Sequence, residues 1–299
     1  MGKIAFVFSG QGDQYPGMGK ELAEKYAAAE AVFAACDAIR PGTSAQCFAG
    51  SEEELKETRN TQPCLFATEL AAASVLMDKG VVPDAAAGFS LGEVAAAAAC
   101  GLFDMETGFR LVCRRGELMQ REAEKQDTSM AAVVKLTEEQ VREICGRHEE
   151  VYPVNFNCPG QVTVSGLSSQ MAGFFEDVKA AGGRAIPLKV KGAFHSPFMR
   201  KAADDFAEAL AQAEIRENTI PLYSNMTAGL YAGNAAELLS GQIFSPVLWE
   251  KIIRNMIKGG VDTFIEIGPG KTLCNMIRRI SSDVTAVSVT EYLSEVEAC

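Results

Sequence analysis

Near its start the chain carries "KIAFVF", whose apolar run from Ile4 to Phe8 is too short for the core of a signal peptide and reads as a first strand. It runs into the glycine-rich "SGQGDQYPGMG", and a helix is expected from about Lys20. "TQPCLFATELAAASVLMDKG" reads as an apolar helix closed by Gly80. The short "DAAAG" segment then leads through "FS" into "LGEVAAAAAC", a helix of strong formers with Gly101 where a left-handed cap would end it. Between residues 130 and 190 the rhythm changes. "MAAVVKL" reads as a strand, "TEEQVREICGRH" as a capped helix, and "YPVNFN" and "QVTVSG" as two strands about the turn "CPG". "SSQMAGFFEDVKAAGG" and "RAIPLKV" complete the unit as helix and strand. This β-α-β-β-α-β order, over about sixty residues, is the ferredoxin-like pattern and predicts a small subdomain inserted in a larger α/β unit. After Gly192 the α/β alternation resumes. Trp249, Ile252, Ile253, Met256 and Ile257 recur at helical spacing, and strand "DTFIEI" and helix "KTLCNMIRRI" follow.

Composition narrows the function classes more than the fold. At 299 residues, with 47% hydrophobic and 22% charged positions, the chain is long enough for one large α/β domain holding a smaller one, with no sign of a disordered tail or a fibre. A net charge of −11 argues against a nucleic-acid-binding surface, and an anionic ligand would need a local basic patch. The nine cysteines form no C-x-x-C pair and sit mostly in apolar runs, so they read as buried thiols of a reducing cytoplasm, with neither a disulfide framework nor a zinc site. The uncharged run between Glu93 and Asp104 is ten residues, short of a membrane span, and a soluble protein with no membrane contact is expected. Two glycine-rich stretches imitate nucleotide loops and fail. A dinucleotide fingerprint would need glycine at Tyr15 and a Walker loop Ser or Thr at Glu21, while "GPGKT" would need an upstream glycine at Ile265.

Ser90 lies between Gly88 and Gly92 in G-x-S-x-G spacing, at the junction of a strand and a helix. Such a turn exposes the hydroxyl, and the Leu91 amide at the new helix N-terminus points toward an oxyanion formed on it. A serine there is also an ordinary helix cap. A nucleophilic serine needs a base, usually imidazole, and the chain has two histidines. His148, in "CGRHEE", falls at the polar end of a helix and is expected to be a solvated surface group. His195, in "KGAFHSPFM", lies in a short loop among apolar neighbours, as the base or as a satisfied core histidine. Phe89 is expected to face away from the Ser90 hydroxyl, because adjacent residues at a strand end point in opposite directions.

In order along the chain, "FVFSGQGDQYPGMG", "TQPCLFATEL", "GFSLGE", "RRGELMQ", "NFNCPGQVTVSG", "GAFHSPFM", "PVLW" and "IEIGPGKTL" resemble the malonyl-CoA:acyl carrier protein transacylases and the related acyltransferase domains of fatty-acid and polyketide synthases. The resemblance spans nearly the whole chain. It implies a Ser90 and His195 pair, an oxyanion hole made of the backbone amides of Gln11 and Leu91, and a backbone carbonyl at Gln242 that orients the histidine in place of a carboxylate. It also sets Arg115, in "RRGELMQ", against the free carboxylate of a malonyl group, which a planar guanidinium matches with two parallel hydrogen bonds. Read without the resemblance, an arginine beside Arg114 on a helix is a plain surface group. Two positions depart from the family pattern: Phe89 stands where histidine is usual, and Ser245 where asparagine is common. The run Ala193 to Ser196, "AFHS", resembles malonyl-selective members more than methylmalonyl-selective ones.

These readings combine into an α/β fold with an α/β-hydrolase-like large domain, residues 1–126 and 191–299, and an inserted ferredoxin-like (βαββαβ) small subdomain, residues 127–190. The active site is expected in the cleft between them. The resemblance implies that Ser90 takes the malonyl group from malonyl-CoA and passes it to the pantetheine thiol of acyl carrier protein, as a cytoplasmic monomer of fatty-acid synthesis. No metal or redox cofactor is implied, coenzyme A entering only as the substrate thioester. Carrier protein is typically acidic, so docking is expected at a basic patch drawn from Arg184, Lys189, Lys191, Lys271, Arg278 and Arg279, unless these are scattered solvated charges. Other readings share the serine turn: a serine thioesterase or hydrolase, a non-catalytic acyl-CoA-binding homologue, and an acyltransferase of a polyketide or malonate-decarboxylase system. Typical hydrolases place histidine near the C-terminus after an acid, unlike His195, and a buried arginine would serve neutral esters poorly.

Overall fold

The computed structural model describes residues 2–298 and has nine strands: β1 Lys3–Phe8, β2 Ala85–Gly88, β3 Thr128–Val134, β4 Val151–Cys158, β5 Gln161–Leu167, β6 Arg184–Pro187, β7 Leu222–Tyr223, β8 Val261–Ile267 and β9 Thr285–Ser288. Five of them form a parallel sheet in the order β7-β2-β1-β8-β9. The sheet is covered on both faces, which is why β1 reads as unbroken apolar sequence. Phe6 and Phe8 enter one core, with helices Thr58–Asp78, Gly92–Ala99 and Met105–Ala123, while Ala5 and Val7 enter the other, with helices Trp249–Lys258 and Thr272–Ile280. All four side chains are fully buried. Gly101, at φ 80°, takes the left-handed conformation expected of it at the end of helix Gly92–Ala99.

The other four strands form an antiparallel sheet in the order β4-β5-β3-β6, with helices Glu138–Cys145 and Ser168–Ala180 between strands in chain order, as the βαββαβ pattern predicts. Thr137 and Gln140 close a capping box at the start of the first helix. Val133, Val141, Phe156, Val164 and Phe174 build a separate core under this sheet. One of its junctions with the rest runs along β4, where the Phe156 amide donates to the Val247 carbonyl at 2.9 Å and the Val247 amide to the Val154 carbonyl at 2.8 Å. Val247 directly precedes the segment leading into helix Trp249–Lys258, so β4 is tied to the large core beside the serine turn.

Some expectations change. His148 is not a solvated surface group: it is half-buried, with Nε2 3.0 Å from Asp177 Oδ2 and its ring edge-on to Phe174. The reason is tertiary, since the turn after helix Glu138–Cys145 folds back onto helix Ser168–Ala180. The six basic candidates also divide. Lys271 pairs with Glu291, Arg278 donates to the Ala286 carbonyl, and Arg279 reaches Gln161 and the Pro159 carbonyl, so these three brace the fold. Lys189 and Lys191 border a cavity of 750 Å³ with Lys56 and Lys125, and Arg184 is exposed on β6. Eight cysteines are free thiols, seven of them buried and Cys113 half-buried, and Cys299 lies outside the described residues. Among the described residues no helix is long and apolar enough to cross a membrane.

Candidate active site

β2 runs parallel to β1 and ends at Gly88, from which the chain turns sharply into helix Gly92–Ala99. The two flanking glycines are required by close approach. A Cβ on Gly88 would lie 1.9 Å from the Gly92 carbonyl carbon, and one on Gly92 would lie 2.3 Å from the Ser9 carbonyl oxygen. Ser90 between them has φ 57°, a left-handed conformation that costs a non-glycine residue about 1–3 kcal/mol and must be held by its surroundings. Its amide donates to Asn225 Oδ1 at 2.7 Å and its carbonyl accepts from Gln242 Nε2 at 3.0 Å. The hydroxyl takes no part in holding the turn and borders the cavity.

The structure brings His195 to that hydroxyl, with Nε2 2.8 Å from Ser90 Oγ and Nδ1 2.8 Å from the Gln242 carbonyl oxygen. The carbonyl can only accept, so Nδ1 carries the proton and Nε2 presents its lone pair to Oγ. Burial, reinforced by the positive charge of Arg115, pushes the imidazole down to about 4 and keeps it neutral at pH 7. Gln242 thus supplies the expected backbone carbonyl, and its side chain adds two bonds that the sequence did not announce.

Arg115 is fully buried, whereas Arg114 is exposed and pairs with Glu117 at 3.4 Å, so the surface reading holds for only one of the two. The guanidinium donates from Nη1 to Gln62 Oε1 at 2.8 Å, and from Nη2 to Gln242 Oε1 at 3.0 Å and Ser90 Oγ at 3.2 Å. Burial lowers its pKa to about 10, with Glu93 acting the other way, so it stays charged at neutral pH. Among the described residues no carboxylate is hydrogen-bonded to it. Gln62 was missed in the sequence, where the available signal was a glutamine inside the otherwise apolar "TQPCLF".

Ser90, Leu91, Gln11, His195 and Phe89 share the wall of one small cavity of 90 Å³. The Leu91 amide stands at the first turn of helix Gly92–Ala99, where no carbonyl four residues earlier in the helix can accept from it. Gln11 lies in the turn after β1, its Nε2 reaching Thr58 Oγ1 at 3.4 Å. Phe89 does not face wholly away. Its ring packs edge-on against Trp249, with 5.5 Å between centroids, while also bordering the cavity. Phe89→His is therefore expected to give up part of an aromatic contact, about 0.5–1.5 kcal/mol of stability in a melting experiment, and to leave the rate of acylation by malonyl-CoA within about tenfold. A rate gain beyond that would mark position 89 as limiting the chemistry. Among the described residues no group of three or more His, Cys, Asp or Glu side chains is arranged to hold a metal ion.

The arrangement is a serine hydroxyl, a neutral imidazole with its orienting acceptor, and a buried guanidinium within reach of the same oxygen. A family model described as acyl transferase domain matches residues 5–296. Malonyl CoA-acyl carrier protein transacylase of Bacillus subtilis is 37% identical over 299 residues, covering 97% of this chain and 94% of the relative. The protein of that name in Escherichia coli is 36% identical over 299 residues, covering 97% of each chain. Among solved structures, the malonyl CoA-acyl carrier protein transacylase from Clostridium perfringens matches with a TM-score of 0.95 at 35% identity, covering 99% of this chain and 98% of that one. A malonyl-transacylase in complex with its type II PKS acyl-carrier protein gives a TM-score of 0.95 at 33% identity, with 99% and 98% covered. Sharing both sequence and fold with these enzymes from end to end, the chain belongs to the acyl transferase domain family, among the malonyl CoA-acyl carrier protein transacylases.

Proposed function

We propose that this acyltransferase moves a malonyl group from malonyl-CoA to the pantetheine thiol of acyl carrier protein by way of a malonyl ester on Ser90. The observation that carries the reading is that Ser90 Oγ lies between the lone pair of His195 and the guanidinium of Arg115. A serine hydrolase needs the first contact. A buried cation next to the nucleophile suits an acyl group that brings a carboxylate of its own.

In the first half-reaction Ser90 Oγ attacks the thioester carbonyl while its proton passes to His195 Nε2. The negative oxygen of the tetrahedral intermediate takes hydrogen bonds from the amides of Leu91 and Gln11. Collapse breaks the carbon–sulfur bond, His195 returns the proton to the departing coenzyme A thiol, and the malonyl ester remains. Meanwhile the malonyl carboxylate pairs with Arg115, which fixes the acyl group and holds it close to the reacting bond. In the second half-reaction the carrier protein's thiol attacks the ester while His195 accepts its proton, and collapse breaks the carbon–oxygen bond as His195 returns the proton to Ser90 Oγ, regenerating the serine. The Gln242 carbonyl keeps one tautomer throughout.

Intact-mass analysis with a panel of acyl-CoAs, followed by addition of carrier protein, tests the reading. A malonyl adduct that forms on Ser90 and is discharged to the thiol is expected; an adduct that decays to free acid at the same rate without carrier protein would indicate a hydrolase. The pH profile is a second check. An ordinary histidine loses its basic form below about pH 6.5, but the neutral form here persists to about 4. The acylation rate should stay level from neutral pH to about 5 and fall toward 4, whereas a fall centred near 6.5 would show an imidazole titrating at its ordinary value, not depressed by burial and Arg115.

A further inference from the structure

The turn that presents Ser90 is held from behind by a side chain that does not line the cavity. Asn225 is fully buried just beyond β7, at the edge of the parallel sheet. Its Oδ1 accepts the Ser90 amide at 2.7 Å and its Nδ2 donates to the Gly88 carbonyl at 2.6 Å, so one carboxamide spans both ends of the Gly88–Phe89–Ser90 bend. Asn225 is itself fixed. Its amide donates to Glu93 Oε1 at 3.1 Å, the Tyr231 hydroxyl donates to the same oxygen at 2.6 Å, and its carbonyl accepts from the Leu248 amide at 3.0 Å. Glu93 is fully buried and Tyr231 nearly so.

We infer that Asn225 is a positioning residue for acyl transfer: it locks Ser90 in its left-handed conformation and, by taking up the Ser90 amide, leaves the Leu91 amide as the donor this turn offers to the oxyanion. The inference rests on the reading of Ser90 as the nucleophile. Without the carboxamide, two facing backbone groups lose their partners and φ of Ser90 is free to relax toward the ordinary negative range. Oγ then leaves its line to His195 Nε2, and the Leu91 amide turns with it. Arg115 keeps its bonds to Gln62 and Gln242, neither of which involves Asn225. The effect therefore belongs to the rate of acylation and not to the binding of the malonyl carboxylate.

Asn225→Ala and Asn225→Asp test this, with malonyl-enzyme formation followed in single turnovers by intact mass, KM for malonyl-CoA measured in parallel, and reactivity toward a fluorophosphonate as a readout of Ser90 alone. Asn225→Ala is expected to slow acylation and fluorophosphonate labelling by about 10²-fold, the scale of a small misplacement of reacting groups, with KM within threefold of wild type. Asn225→Asp has the same shape but, ionised, only accepts, so near pH 8 it is expected to be slow as well. The introduced carboxyl would be faced by Glu93 from helix Gly92–Ala99, by Tyr231 and Ser224 from its own segment, and across Ser90 by Arg115 and His195. Burial raises its pKa, and Glu93, itself raised to about 8, adds to this only where it is ionised. Once protonated it again accepts from Ser90 and donates to Gly88, so its deficit relative to wild type should shrink as pH falls from 8 to about 5. A merely structural role would not produce that recovery. The inference is overturned if either folded variant acylates within threefold of wild type at pH 8, if the loss lies in KM alone, or if the Asn225→Asp deficit does not shrink at lower pH. Should Asn225→Ala fail to fold, the Asn225→Asp profile decides. A malonyl adduct persisting in Ser90→Ala would instead refute the nucleophile reading, a result distinguishable from any of these.

Discussion

Ser90→Ala is expected to abolish both the malonyl adduct and transfer to carrier protein, and His195→Ala to slow acylation by about 10²–10⁴-fold, the range for losing a positioned base. The two losses differ because they remove different things. Without Oγ no atom is left to carry the ester. Without the imidazole, Oγ still receives a hydrogen bond from Arg115 at 3.2 Å, and the Leu91 and Gln11 amides keep their places, so slow acylation survives. His148→Ala serves as the control, since that ring contacts Asp177 and Phe174 and not the cavity. Stopped single turnovers with malonyl-CoA, read by mass, measure all three variants. Full activity in Ser90→Ala or His195→Ala would reject the dyad outright.

The second large effect concerns acyl selectivity. Arg115→Ala should weaken malonyl transfer by about 2–5 kcal/mol, as when one partner of a buried charge pair is truncated. The substrate carboxylate would then enter the cavity unpaired, and the side-chain oxygens of Gln62 and Gln242 would lose their shared donor. Acetyl-CoA brings no carboxylate. It should lose only the help that Nη2 gives Ser90 Oγ, a single charge-assisted bond, so the preference for malonyl over acetyl should fall by at least about tenfold. Arg115→Lys should recover only part of the malonyl rate, because an ammonium cannot make the planar paired contact. Equal losses for the two acyl groups would show that the guanidinium serves the nucleophile alone, and the free-carboxylate substrate would lose its main support.

Much of the fold was legible because it is written in local patterns. Ile4 to Phe8 read as a strand, "TEEQVREICGRH" as a capped helix, and the order of elements between residues 130 and 190 as βαββαβ, and each of these depends on neighbours a few residues away. The serine turn was legible from its glycine spacing, of which Gly88 answers to Gly92 within the turn itself, while Gly92 answers to the distant Phe8 and Ser9 at the end of β1. His195 was reachable by scarcity, as one of two histidines, and Arg115 only through resemblance.

What the sequence determined by itself, then, was periodicity, turn chemistry and the identity of the reactive groups. The tertiary structure decided which polar side chains are buried and what satisfies them. Gln62 meets Arg115 across 53 positions, Gln242 meets it across 127, and Asn225 meets Ser90 across 135. Nothing in the spacing of a glutamine on an apolar helix, or of an asparagine after a two-residue strand, separates a solvated side chain from one holding an active site. His148 was misread for the same cause, its partner Asp177 lying on another helix. Apolar burial is non-directional and repeats with the period of its element, so it leaves a trace in local sequence. A buried hydrogen bond needs one particular partner at one distance and angle, and only the closed chain supplies it.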